Sequence, residues 1–349
     1  MATAGAPEPV GTRRNRRPAT MADVAREVGL SHQTVSRVLN DHPFVRPDTR
    51  ARVLKAIEDL GYRRNSAARA LVTRRSQTLG VISFNSTLYG PASTLFGIEQ
   101  AAREAGFFVS VDSLTSITAT TVREALDRLG KQAVEGIIVI APLAGATEVL
   151  SAMAAELPTV VVEGGAAPGL GSVSVDQQEG ARLVTRHLLD RGAATVWHVA
   201  GPSDWVEAEG RLIGWRRELR RAGRAVRRPL RGTWSPSSGY AAGRRLAVRR
   251  DVEAVFVAND QMALGLLRAF HEAGARVPQD VLVAGFDDVP EAAYYTPPLT
   301  TVRQDFTTVG RRSIELLLEQ VVAGRPLEHR AVVPAKLIVR QSSTPGAPG

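Results

Sequence analysis

Met21-Ala22-Asp23-Val24-Ala25-Arg26-Glu27-Val28-Gly29-Leu30-Ser31-His32-Gln33-Thr34-Val35-Ser36-Arg37-Val38-Leu39-Asn40 has the form of a helix-turn-helix. Val24, Ala25 and Val28 fall on one face of a first helix. Gly29 lets the backbone turn, Leu30 plugs the joint, and Ser31 can accept a hydrogen bond from a free N–H opening the second helix. Val35, Val38 and Leu39 give that helix its own apolar stripe and read as core. Its first turn then carries His32, Gln33 and Ser36 or Arg37 outward, the placement a recognition helix needs in a major groove. Pro47 suits the first turn of a third helix, Asp48 to Leu60, ended by Gly61, with Val53, Ile57 and Leu60 packing across the other two.

Charge follows the same division. Of the chain's net +9, residues 1–78 hold +8, with 15 Lys/Arg against 7 Asp/Glu, so the remainder is close to neutral. A basic segment on a neutral body is the footprint of phosphate binding. An arginine-biased genome explains the choice of Arg over Lys but not the asymmetry. The chain has no cysteine, which excludes a disulfide scaffold and thiolate metal sites. It has no apolar run long enough to span a bilayer and no signal-peptide pattern, so no membrane partner and a cytoplasmic location are expected. Residues 1–17 are expected to be a disordered basic tail, 18–64 the helix-turn-helix domain, 65–78 a small-residue linker able to become helical, and 341–349 a disordered Ser/Pro/Gly-rich tail.

Between them, residues 79–340 alternate two patterns. Strand-like runs at 79–84, 107–111, 136–141, 159–163, 195–200, 254–258 and 281–286 are separated by helical patterns at 94–105, 121–129, 177–189, 260–273 and 306–322. That alternation predicts an α/β body of doubly wound parallel sheets in two subdomains, with a ligand cleft at the carboxyl ends of the strands. Asp260 at a helix start and Asp176 before Gln177 read as N-caps, Asp288 as structural, and Trp215, spaced from Leu212 and Leu219, as core. Trp205 and Trp234, beside Pro202 and Pro236, favour a rim or pocket role.

These residues resemble the lactose-repressor (LacI/GalR) family of bacterial transcription regulators over Thr20 to Arg340. The likeness rests on Ala22-Asp23-Val24-Ala25, on Thr34 to Asn40, on Val257 to Gly265, on Gly285-Phe286-Asp287-Asp288 and on Pro297 to Asp305, in order. It implies an all-α DNA-binding head on a periplasmic-binding-protein-like body. Thr34, Gln33, Ser36, Arg37, Asn40, Tyr62 and Asn65 match positions that touch operator DNA, and His32 one that helps set base preference. Arg can donate two hydrogen bonds to guanine and Gln can pair similarly with adenine. Leu71 matches a hinge-helix leucine wedged into the minor groove, and Ala68, with Ala67, is small enough for two hinge helices to approach. Asn40 also suits a simple helix end in the left-handed region, and Leu71 also suits ordinary hinge packing.

For the body the resemblance points to Trp205, Arg211, Trp234, Asn259, Asp287, Gln304 and Phe306, a set suited to a sugar: amides and carboxylates for hydroxyls, a guanidinium fork, aromatic faces for ring C–H. Glu163, Phe84 and Tyr89 stand where the lactose repressor has a shorter aspartate, a small serine and a histidine. Phe84 at the sugar subsite is therefore expected to change which saccharide fits. No heptad run follows Arg340, so a homodimer on a palindromic operator is expected.

The implied function is a repressor released from its operator by a mono- or disaccharide, a corepressor-dependent regulator being the alternative. A sugar-binding protein without a regulatory role would lack the basic head. An enzyme would need a catalytic constellation, and the chain has no Walker loop, no Gly-x-Ser-x-Gly elbow, no His-Glu-x-x-His pair and no clustered histidines. Neither a cofactor nor a metal is expected.

Overall fold

The computed structural model describes residues 17, 19–62, 75–84, 87–143, 157–164 and 169–344. The chain divides into two units between Arg74 and Arg75.

In the first unit α1 (Met21–Val28), α2 (His32–Leu39) and α3 (Pro47–Asp59) surround Val24, Val35 and Val53, all fully buried. Thr20 caps α1 reciprocally. Its hydroxyl accepts from the Asp23 N–H at 3.3 Å while the Asp23 carboxylate accepts from the Thr20 N–H at 2.9 Å. The Thr20 hydroxyl, donating to Asp23 Oδ2 at 2.7 Å, and then the Thr20 N–H hold the Asp23 carboxyl down at about 2. Gly29 turns the chain at φ 63°, a left-handed conformation that costs a residue without Cβ little. Ser31 accepts from the Thr34 N–H at 3.1 Å to open α2. Asn40 does end α2, but at φ −98°; the left-handed residue is Asp41, at φ 50°. On α3, Arg52 donates to the Val28 carbonyl at 2.7 Å and so satisfies the open end of α1.

The second unit holds two parallel sheets. The larger runs in the order β2 (Phe108–Leu114), β1 (Thr78–Phe84), β3 (Ile137–Ile140), β4 (Thr159–Val162), β5 (Gly171–Val175) and β11 (Arg330–Val333). The smaller runs β7 (Leu230–Arg231), β6 (Trp197–Ala200), β8 (Ala254–Val257) and β9 (Leu282–Ala284). Every ladder in both is parallel. Helices α4 (Tyr89–Glu104), α5 (Ala119–Gly130) and α10 (Phe306–Ala323) pack on the larger sheet. The smaller is served by α6 (Gln177–Asp190), α7 (Val206–Arg221), α8 (Pro236–Ala247) and α9 (Asp260–Glu272). Leu79, Ile98, Ile138 and Leu317 fill one side of the larger sheet and Val122, Leu129 and Ile137 the other. Val199, Val257, Leu266 and Phe270 belong to the core of the smaller.

The chain passes between the sheets at three places: from β5 to α6, from β10 (Thr301–Arg303) to α10, and from β11 to β12 (Lys336–Ile338), which pairs antiparallel with β10. The end of the described chain departs from expectation. Gln341–Ser343, assigned by composition to a disordered tail, form a 3₁₀ turn with Ser342 and Ser343 fully buried. The Ser342 hydroxyl donates to the Val283 carbonyl at 2.7 Å and accepts from the Thr300 N–H at 2.8 Å. Small hydroxyls fill a gap between β9 and the start of β10 there, so their polarity marks a buried network rather than a solvated tail.

Candidate functional site

Both sheets reverse their strand order beside their first strand, β1 next to β3 and β6 next to β8, where the carboxyl ends of neighbouring strands open a crevice. Here the two crevices share one cavity of about 310 Å³. Glu163 follows β4, Trp205 follows β6, Asn259 follows β8 and Asp287 follows β9, while Gln304 and Phe306 lie on the β10–α10 passage. Tyr89 enters from the first turn of α4, Arg211 from α7 and Trp234 from the loop before α8. Nine of the ten side chains named from the sequence therefore line a single cavity.

Phe84 does not. It is 8% exposed and packs behind the wall, its ring centroid 6.4 Å from that of Trp205, among the apolar residues of the smaller sheet's core. The bulk expected at a sugar subsite instead supports Trp205 from behind.

A closed polar ring frames the cavity. Arg211 Nε donates to Gln177 Oε1 at 2.9 Å, Gln177 Nε2 to Gln304 Oε1 at 2.8 Å, and Gln304 Nε2 to Asp287 Oδ1 at 2.7 Å. Asp287 returns to Arg211 across 3.4 Å. A second Arg211 donor reaches the Ala258 carbonyl, and the guanidinium lies 3.9 Å over the Phe286 ring. Each donor in the ring has one dominant acceptor, so the side chains are held before a ligand arrives.

Burial dominates the electrostatics. It pushes the Glu163 carboxyl from 4.5 up to about 7, against the Val175 N–H and Arg211, and the Asp287 carboxyl from 3.8 up to about 6, against Arg211 and Gln304. Glu207, also on the lining, is raised well above its ordinary value by burial and then by Glu163. The backbone is equally constrained: Glu163, Trp234 and Asp287 all take positive φ, at 57°, 68° and 113°. Such conformations in residues other than glycine gather where a site is held by its surroundings. The Trp234 ring lies directly over Gly201, where a Cβ would come within 2.3 Å of it.

Among the other sequence readings, Asp176 caps α6 by accepting from the Glu179 N–H at 2.9 Å, and Trp215 is fully buried. Asp288 is structural, held by Arg303 at 2.6 Å and Arg340 at 2.7 Å. Asp260 is not the cap of α9. Asn259 takes that role, its Oδ1 accepting from the Met262 N–H at 3.0 Å, while Asp260 is buried one residue inside and accepts from Thr301 Oγ1 at 2.6 Å and the Val289 N–H at 3.0 Å. Cap and lining residue are thus the same side chain. The sequence reading missed Gln177, hidden behind the reading of Asp176 as a cap, and Glu207. The available signal for Glu207 was its place four residues before Arg211 on one helix face.

On the first unit His32, Gln33, Arg37 and Asn40 are exposed, and Thr34 and Ser36 are half-buried. Tyr62 is half-buried against the core of the three helices. Asn65, Ala68 and Leu71 lie outside the described residues. Among the described residues no group of three His, Asp or Glu is placed to hold a metal ion, and no helix is long and apolar enough to cross a membrane.

Known proteins match both units. Residues 20–65 match the family described as bacterial regulatory proteins, lacI family, and residues 185–343 the periplasmic binding protein-like domain. The lactose operon repressor of Escherichia coli K12 is 32% identical over 94% of this chain and 91% of its own. The transcriptional regulator CelR of Thermobifida fusca is 35% identical over 94% of this chain and 99% of its own. Among solved structures, the Lac repressor dimer bound to operator and the anti-inducer ONPF matches with a TM-score of 0.84 at 32% identity, covering 94% of this chain and 99% of that one. A CelR–cellobiose complex matches at 0.68 and 32% identity, over 93% and 99%.

Proposed function

Since the chain belongs to the lacI family of bacterial regulatory proteins, we propose that it is a repressor released from a palindromic operator when a saccharide fills the cleft. It is a DNA-binding transcriptional regulator with a small-molecule effector domain. The observation that supports a saccharide is the polar ring of Arg211, Gln177, Gln304 and Asp287 set among Tyr89, Trp205, Trp234 and Phe306. Fixed amides, a carboxylate and a guanidinium match vicinal hydroxyls, and the aromatic faces match ring C–H. A cavity of about 310 Å³ has room for a mono- or disaccharide. One relative is named for the lactose operon, and a structural neighbour holds cellobiose.

In this reading His32, Gln33, Thr34, Ser36, Arg37 and Asn40 face operator bases and phosphates, with Tyr62 and Asn65 beside them. Ala68 and Leu71 serve a hinge that inserts in the minor groove, and two copies of the chain grip the two half-sites. The effector acts by binding one relative arrangement of the two sheets better than the other, with the three passages between them as hinges. A coupling of about 1–3 kcal/mol, the usual range, lowers operator affinity roughly 5–150-fold.

Calorimetry with lactose, cellobiose, maltose and their component monosaccharides tests the cleft. The saccharide that binds the unaltered chain is expected to lose about ten- to a hundredfold in affinity with Asp287→Ala, because a charge-assisted hydrogen bond goes. A saccharide whose affinity ignores that substitution binds elsewhere, and the cleft assignment is then wrong.

A further inference from the structure

Glu207 stands on the first turn of α7, one helical turn before Arg211. It is 8% exposed, lines the cavity, and its Oε2 is buried with no hydrogen-bond partner among the described residues. A buried carboxylate in that condition is costly unless a proton or a cation satisfies it. Arg211 is engaged elsewhere, by Gln177, the Ala258 carbonyl and Asp287. Charged groups nearby on α6 and α7 are engaged too: Arg182 with Glu179 at 2.6 Å on α6, and on α7 Arg217 with Gln178 at 2.7 Å and Glu209 with Arg231 at 2.6 Å.

The cavity wall thus carries three carboxylates, Glu163, Glu207 and Asp287, against the single guanidinium of Arg211. Asp287 also acts on the lining Tyr89, whose hydroxyl is raised first by burial and then by nearby carboxylates, Asp287 foremost. A second polar atom is also unsatisfied. Trp234 Nε1 is buried without an acceptor among the described residues, although its ring lines the same cavity. The cleft therefore presents two unsatisfied groups at once, the Glu207 carboxyl, which a cation would keep ionised, and the Trp234 indole N–H, which takes an acceptor. Four aromatic rings at the same wall, Tyr89, Trp205, Trp234 and Phe306, offer faces that favour a cation over an anion.

We infer that the effector is an amino sugar, its ammonium group held by Glu207 with Glu163 and one of its oxygens accepting from the Trp234 indole N–H. This rests on the reading of the cleft as a saccharide site and narrows it: a neutral sugar offers Glu207 only a hydroxyl, an ammonium pairs with the ionised carboxylate that burial otherwise disfavours, and sugar phosphates meet like charge. A metal ion as the missing cation is disfavoured, since among the described residues no three acidic or histidine groups converge on one point.

Matched sugars differing at one carbon decide the matter. The full chain is titrated calorimetrically with glucosamine, glucose and N-acetylglucosamine, with the galacto series, and with chitobiose (the glucosamine dimer), cellobiose and N,N′-diacetylchitobiose. In at least one trio the free amine is expected to bind about tenfold or more tighter than both neutral partners, the margin of a hydrogen bond between charged groups. Glu207→Gln should bring that ratio close to one, with the melting temperature checking that the variant is folded. The ratio in the unaltered chain is decisive by itself. Neutral members binding as tightly as their amines overturn the inference and leave the saccharide reading standing. No binding in any trio, nor by the lactose and maltose of the panel above, overturns both. A preference for the amine that survives Glu207→Gln overturns the role given to Glu207.

Discussion

At Glu163 a carboxyl, a left-handed backbone and the wall of a cavity coincide, and the consequence is measurable. Its carboxyl titrates near 7 in the folded chain against 4.5 ordinarily. Between those values the folded state binds more protons than the unfolded one, so stability falls as pH rises through that window. Glu163→Gln removes this loss: the variant should melt above the parent at about pH 8 and lose its advantage at about pH 4.5. Equal pH profiles for the two would show that the carboxyl is already ionised at neutral pH. On the first unit, Arg37 is exposed on α2 with Val35 and Val38 anchoring the opposite face. Arg37→Ala should cost about 1–3 kcal/mol of specific operator binding and flatten discrimination at one base pair. A uniform loss at every sequence would mean a phosphate contact instead. Much of this scale was legible in the sequence, because caps, apolar stripes and functional side chains have residue-type signatures. Phe84, Gln177 and Glu207 were not. Whether a ring or a carboxylate faces a cavity or the core behind it depends on strands distant in sequence, as the packing of Phe84 on Trp205 illustrates.

Among the elements, β6 meets the loop before α8 in close contact at the cavity wall. Gly201 directly follows that strand, and the Trp234 ring occupies the space its Cβ would take. Gly201→Ala should displace Trp234, lower the melting temperature through an overpacking cost of about 1–3 kcal/mol, and weaken saccharide binding. Unaltered binding would remove Trp234 from the lining. The central strands were readable because burial on both faces demands continuous apolar runs, as at Ile137–Ile140 and Thr159–Val162. The β5 and β11 strands escaped notice for the converse reason: Gly171–Val175 interleaves serines, and Arg330–Val333 is an edge strand with one open face. The α4 helix begins at Tyr89 rather than Thr94 because Gly90 and Pro91, loop signals elsewhere, fit a first turn whose N–H groups have no helical partner.

In the whole molecule, a basic unit meant for phosphates and a nearly neutral unit with a cleft are joined in one chain. The division shows in the charge, and the cleft in the strand alternation, without any coordinates. The three passages between the sheets were invisible to local pattern, since β11 and β12 are placed by pairing with strands far away in sequence. On the proposed reading those passages serve as hinges between two positions of the sheets, and an effector shifts such an equilibrium only through unequal affinity for the two positions. The direct test is fluorescence anisotropy on a palindromic operator taken from upstream of the chain's own gene, at fixed salt, titrated with and without the saccharide that calorimetry identifies. Specific binding that weakens roughly 5–150-fold on saturation with that saccharide is the predicted result. Specific binding that is unchanged, or tightened, at saturating saccharide would contradict it.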